Sequence, residues 1–172
     1  SDKLDYTGIN HNELITGCLT FLDLEGENLN IHSYNTMCED AINFIRFKGS
    51  INNLVVKKSK SDGVDFDFSK ASINEIHIED VGNDCLDFSY GRYIVKNINV
   101  KKCGDKAVSI GENSIFESKL TKINNTNTGI ASKDSSKSDF DLVSIKYTKN
   151  CLSSYNKKQE FNGSSLVIDS LR

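Results

Sequence analysis

The chain has 172 residues, 24 of them acidic and 21 basic, for a net charge of -3. That is one domain's worth of sequence, able to bury a core of its own, and it lacks the basic excess that a nucleic-acid or anionic-membrane partner would call for. No apolar run approaches the ~18 residues needed to cross a bilayer, and no secretory leader is seen.

Residues 1–16 carry few apolar groups and read as a thin N-terminal cap. Beyond them the sequence repeats. Tetrads begin at Asp40, Asp62, Asp84, Lys106, Thr128 and Asn150, each 22 residues after the last. The next position is always small or thiol-bearing (Ala41, Gly63, Cys85, Ala107, Gly129, Cys151), and the one after is always aliphatic (Ile42, Val64, Leu86, Val108, Ile130, Leu152). A constant period without insertions means one supersecondary unit stacked on copies of itself.

Within each period the first apolar stretch alternates. Val64, Phe66 and Phe68 are expected on one face with Asp65 and Asp67 on the other, and Leu86, Phe88 and Tyr90 repeat the pattern, as strands with one buried face do. A second stretch runs through Leu54, Ile76, Ile98, Leu120 and Leu142 at steps of 22. Turn formers such as Asn52-Asn53, Gly82-Asn83 and Gly104-Asp105 separate the two. A 22-residue unit is too short for a strand–helix–strand crossover, which takes about 30 residues, and for a propeller blade, which takes ~40. The leucine-rich-repeat frame is absent. The expected fold is all-β: a single-domain parallel β-helix of about six to seven rungs spanning 1–172, with Phe44, Phe66 and Phe88 stacked inside it.

The five cysteines fall on this frame. Cys85 and Cys151 share a column three rungs apart, roughly 14 Å at ~4.8 Å per rung and beyond bridging distance, and Cys103 and Cys38 are separated in the same way. The expectation is no disulfide and mostly buried thiols. Toward the C-terminus the columns weaken: Phe88 is followed by Ile110, Ser132 and Ser154, and Val100 by Lys122, with Ile123 and Ile145 placed to take over after a one-residue shift. The polar segment from Tyr155 to Gly163 interrupts the last rungs as a protruding loop. The closing Leu166–Leu171 stretch reads as a strand with nothing beyond it, so a module adjoining a longer protein, or one that self-associates end to end, is expected.

Chemistry concentrates on the outward side of the first stretch. Asp62, Asp65 and Asp67 lie on one rung, Asp84 and Asp87 on the next, and Asp105 follows. Carboxylates ~5 Å apart repel unless a cation, a proton or water intervenes. Asp62, Asp65, Asp84 and Asp87 are therefore a calcium-site candidate, with no other cofactor implied. Asp62 and Asp84 are the candidate catalytic carboxyls, and Asp65, Asp87, Asp105, Lys106 and Lys133 the candidate ligand contacts. The plainer alternative is that Asp40, Asp62 and Asp84 cap turns and Lys106 is a solvated turn lysine. His11, His32 and His77 are scattered and form no ligand set or triad.

Three segments carry a family resemblance: Ser61-Asp62-Gly63-Val64-Asp65, Gly82-Asn83-Asp84-Cys85-Leu86, and Cys103-Gly104-Asp105-Lys106-Ala107-Val108-Ser109-Ile110-Gly111. They resemble the pectin-lyase-like superfamily, and within it the polygalacturonase rungs NTDGI, GDDCI and GHGISIG. Gly129-Ile130-Ala131-Ser132-Lys133 sits where that family has G-x-RIK. The resemblance covers residues 60–135 and implies a right-handed parallel β-helix, a polysaccharide ligand and an extracellular or cell-surface setting; free cysteines would argue against that setting. It also implies Asp62 and Asp84 as the family's acid/base aspartates. The chain departs from the pattern at Asn83, Asp105 and Ala131, which replace an aspartate, a histidine and an arginine. Two functions follow: a non-catalytic module that binds glycan or supports neighbouring domains, or a polysaccharide hydrolase or calcium-assisted uronate lyase or epimerase built on the Asp62/Asp84 face.

Overall fold

The structure, a computed structural model, describes residues 16–172; the expected N-terminal cap, apart from Thr16, and His11 lie outside the described residues. Short strands β1 (Gly17–Leu22), β3 (Asp40–Ile45), β5 (Asp62–Asp67) and β7 (Leu86–Ser89) alternate with long strands β2 (Glu25–Thr36), β4 (Lys48–Ser59) and β6 (Lys70–Val81). Strands β8 (Arg92–Gly111), β9 (Ile115–Lys133) and β10 (Lys137–Tyr155) run through the corner that separates the two kinds, and β11 (Ser165–Leu171) closes the chain. All pairing is parallel: β1-β3-β5-β7 form one ladder and β2-β4-β6 another, and both meet on the continuous β8. The result is a β-solenoid of about six turns with ~22 residues per turn.

Register explains the core. Phe21 pairs with Phe44, Phe44 with Phe66 and Phe66 with Phe88, so side chains of one kind meet above one another. The rings stack nearly parallel, with centroids 4.8, 4.4 and 5.2 Å apart. Each such pair adds about 0.5–1.5 kcal/mol to the burial itself. Tyr93 tilts against Phe66 and Phe88, and its hydroxyl donates to the carbonyls of Phe66 (3.1 Å) and Ser89 (2.9 Å), which satisfies the one polar atom the stack brings inside. On the outer surface Asn52 donates to Asn30 and Asn74 to Asn52, both at 3.1 Å, an amide ladder that follows the same stacking.

The chain rounds its corners through left-handed residues. Asp23, Arg46, Phe68, Tyr90 and Asp134 have φ of 49 to 54° at one corner, and Lys58, Asp80 and Lys102 have 58 to 66° at another. This conformation costs a non-glycine residue roughly 1 kcal/mol and breaks strand alternation. It overturns the expected burial of Phe68 and Tyr90. Their side chains swing outward after β5 and β7 and stand 55% and 39% exposed.

Two further expectations are corrected. Leu120 and Leu142 do not continue the Leu54–Ile76–Ile98 column; they pair with Asn97 and with each other, while Thr121 and Val143 follow Ile98. The cause is one extra residue in the turn at Glu112–Ser114: Ser89 pairs with Gly111, 22 residues on, but Arg92 pairs with Ile115, 23 on. The same shift brings Ile123 under Val100 and Ile145 under Ile123, as the sequence implied. Where aromatic residues run out, hydroxyls fill the interior. Ser132 bonds to Ser136 (2.9 Å) and Ser138 (3.1 Å), and Ser118 to Thr121 (2.9 Å).

The second correction concerns sulfur. Cys18–Cys38 and Cys85–Cys103 are disulfides, with Cα atoms 5.4 and 5.5 Å apart. Separation within a column is indeed too large to bridge, but these bonds cross between columns. At 20 and 18 residues, nearly one period, the end of a turn lies beside its own beginning. Cys151 is free and exposed, contrary to the expectation of buried thiols.

Alkylation under denaturing, non-reducing conditions is expected to label one thiol of five, and all five after reduction. In urea titrations Phe66→Ala should cost about 3–5 kcal/mol, as for other buried aromatic truncations. Phe68→Ala should cost less than about 1 kcal/mol, because its ring is outside.

Candidate acceptor-lined face and aromatic corner

Side chains pointing outward from the short-strand ladder fall into columns with different fates. The column through Asp62, Asp84 and Lys106 is occupied by capping. Asp62 Oδ1 accepts the Asp84 backbone N–H at 2.9 Å and the Asn83 amide at 2.7 Å. Asp84 Oδ1 accepts the Lys106 backbone N–H at 2.9 Å, and its Oδ2 lies 3.2 Å from the Lys106 ammonium. Each aspartate thus holds the turn one rung further on, the Asx-type role that the sequence left open. Burial raises the Asp62 carboxyl above its ordinary value, and the Asp84 amide and Asn83 pull it back.

Lys106 is not the solvated lysine expected of a turn. Its ammonium sits between Asp84 and Asp105, 2.5 Å from the latter. Burial opposes its charge, but the two carboxylates outweigh burial and raise its pKa. Asp105 is also bonded by the Asn127 amide at 3.1 Å; its own burial is overcome and its carboxyl is held low.

The neighbouring column runs Asn43, Asp65, Asp87, Ser109, each paired with the next. It is different in kind. Among the described residues Asn43 Oδ1, Asp87 Oδ1 and Ser109 Oγ are buried without a hydrogen-bond partner of normal geometry, although the Ser109 hydroxyl lies near enough to favour the charged Asp87. Among the described residues no side-chain hydrogen bond or opposite charge supports Asp65, and burial with the negative charges of Asp67, Asp87, Asp40 and Asp62 pushes it up to about 9. Asp87 is pushed up to about 6 by burial, although the Lys133 ammonium acts in the opposite direction. Lys133 approaches from two rungs away, its Nζ 3.7 Å from Asp87 Oδ2, and its side chain is almost fully covered. It lies flat across Gly111, where an added Cβ would stand 2.8 Å from Lys133 Cε and would push the end of that flexible side chain aside. Asp67, next along β5, is raised by burial and by Asp40 and Glu112.

At the end of this face stand Phe68 and Tyr90, stacked with centroids 4.6 Å apart and planes 6° from parallel. Phe68 also borders a hollow of about 320 Å³ lined by Asp23, Glu25, Arg46 and Lys48. Tyr90 meets Phe161 at 6.1 Å, from the loop between β10 and β11. That loop was expected to protrude. Instead Asp134 Oδ1 accepts the backbone N–H groups of Lys157 and Lys158 (2.7 and 2.8 Å), and the Lys158 ammonium pairs with Glu112 at 2.7 Å.

The sequence-chosen residues therefore separate. Asp62, Asp84, Asp105 and Lys106 form a capped, ion-paired edge, whereas Asp65, Asp87 and Lys133 share the acceptor-lined face. No group of three or more His, Cys, Asp or Glu side chains is placed to hold a metal ion among the described residues, so the four aspartates considered for calcium are not gathered as one ligand set. Asn43, Asp67 and Ser109 belong to the face but were not chosen as ligand contacts, and Phe68 and Tyr90 were expected inside. The ladder spacing could have found the first three; the corner that exposes the aromatics leaves no mark in an alternating pattern. His77 lines another hollow of about 400 Å³, with Tyr34, Val55, Glu79 and Lys101 around it.

No protein-family model, curated protein or solved structure matches this chain.

Raised carboxyls tie stability to pH. A proton held more tightly in the folded state stabilises the fold fully below the ordinary value of 3.8, and that contribution is lost as pH rises through about 6 for Asp87 and about 9 for Asp65. Asp65→Asn should leave the melting temperature nearly unchanged at pH 4 and raise it above wild type at pH 8.5. Asp87→Asn should gain less, because it leaves the Lys133 ammonium without its carboxylate. Thermal melts across that range check both.

Proposed function

We propose that the chain is a non-catalytic carbohydrate-binding module of a larger, surface-associated protein, and that the ligand lies along the Phe68/Tyr90 corner and the adjoining carboxylate face. The observation that carries this reading is the exposed aromatic pair. At the same corner other turns place the polar residues Asp23, Arg46 and Asp134 in the same left-handed backbone. Bulky aromatic residues are unfavourable there, so folding alone gives no reason for two of them, side by side and open to solvent. Sugar C–H groups pack against aromatic surface while hydroxyls seek charged and amide partners, and both lie within a few residues of each other here. The likeness of residues 60–135 to polygalacturonase rungs supports a saccharide ligand. The two disulfides, unlike the free thiols expected, are consistent with an oxidising, extracellular setting.

One observation favours a second reading. Asp65 and Asp87 are direct neighbours on adjacent strands, about 5 Å apart by strand spacing, and both are raised. Paired carboxyls at about 5–5.5 Å suit retaining glycoside hydrolysis, one as acid and one as nucleophile. Asp62 and Asp84, with their oxygens engaged by backbone amides, are less free to serve.

A panel of neutral, amino and acidic oligosaccharides in a binding assay separates the readings. Binding that falls roughly tenfold in both Phe68→Ala and Tyr90→Ala, without new reducing ends after prolonged incubation, is the expected result. Reducing ends that appear with wild type and vanish with Asp87→Asn would replace the module with an enzyme. No binding to any class would remove the proposal.

A further inference from the structure

The chemistry of the acceptor-lined face selects its ligand more narrowly than the aromatic corner does, and the selection rests on the carbohydrate reading above. With Asp65 ionised, its unengaged groups are almost entirely acceptors. Among the described residues Asp65 has no side-chain hydrogen-bond or cationic partner, Asp67 has no side-chain hydrogen bond and feels only the Lys158 ammonium, and Asp87 Oδ1 has no partner of normal hydrogen-bond geometry. Asn43 is 3% exposed, and its amide NH2 is committed to Thr16 Oγ1 (3.0 Å) and Asp40 Oδ2 (3.3 Å), so that only the partnerless Oδ1 remains. Ser109 is fully buried, and among the described residues its hydroxyl has no partner of normal hydrogen-bond geometry, although it favours the charged Asp87. Asn43 and Ser109 bracket Asp65 and Asp87 in one outward column. Partnerless buried polar atoms are rare and call for a partner.

The cations nearby are already committed elsewhere. Lys106 is held by Asp84 and Asp105, Lys158 by Glu112, and Lys133 reaches one oxygen of Asp87 from the far side. A uronate would add negative charge to this face. A neutral hydroxyl can donate one hydrogen bond but leaves the negative charge of the face uncompensated. A primary ammonium has three donors and no acceptor, and it compensates that charge.

We infer that the face binds a glycan bearing free amino groups, with one sugar ammonium seated between Asp65 and Asp87 and the ring edge toward Tyr90. Seating the cation draws Asp65 into its ionised form. As the N–H···O bonds form, the carboxyl proton leaves to solvent when the sugar amine arrives protonated and passes to the amine when it arrives neutral. The charged groups facing Asp65 are Asp62 and Asp67 on its own strand, Asp40 on β3 and Asp87 on β7, all of which favour that proton until a cation replaces it.

Isothermal titration with oligomers of β-1,4-linked glucosamine, N-acetylglucosamine and galacturonate tests this. The glucosamine oligomer should bind about tenfold more tightly than its acetylated counterpart, and galacturonate should not bind. Asp87→Asn should abolish the preference for the free amine. Asp67→Asn, which breaks no hydrogen bond in the fold, should weaken it severalfold and covers the case in which the Asp87 variant misfolds. Equal binding of the amine and acetamide oligomers, or a preference for galacturonate, would overturn the inference while leaving carbohydrate binding intact. No binding by any of the three would remove both.

Discussion

Every turn of this chain must return to lie one strand spacing above its own beginning, in a register where each backbone amide finds the carbonyl of the turn next to it. That requirement decides which sequence changes the fold can absorb. Inside a strand, one added residue would exchange the inner and outer faces. The extra residue at Glu112–Ser114 is confined to a corner, so β9 regains pairing with β8 and later columns move by one position without reversing. Because like positions superpose, a choice made once is amplified: four phenylalanines become one stack and three asparagines one amide ladder.

The period, the parallel stacking and the phenylalanine column were legible because each depends on spacing alone. The corners were not. Phe68 looks like the third member of an alternating triplet, and only a positive φ, which a pattern of apolar and polar residues cannot encode, turns it outward. The disulfides were missed for a related reason. Distances along a column follow from strand spacing, whereas Cys85 and Cys103 meet across a corner, where the path of the chain rather than its period sets the separation. At the site, acidic residues were visible but not their division of labour. Asp62 and Asp65 are three residues apart on one strand, yet one holds the turn above it and the other is left without support.

That division shows how a solenoid can carry a ligand face at little structural risk. The capping column bears the backbone's needs, and the column beside it is free to remain unsatisfied. The arrangement costs stability, since partly buried carboxyls crowded by one another hold their protons to unusually high pH. It persists on turns where the phenylalanine stack is continuous and the core is well filled.

The two sulfur bridges have a consequence for how such a molecule comes apart. A stack in which each layer touches only its neighbours can open layer by layer, and the later layers here combine serine hydroxyls with the Phe116–Phe140 pair. A covalent tie between the start and finish of one layer stops that peeling at Cys85–Cys103. The carboxylate pair and the aromatic corner lie on and beside the tied layer, so losses at the frayed end need not travel far enough to reach them.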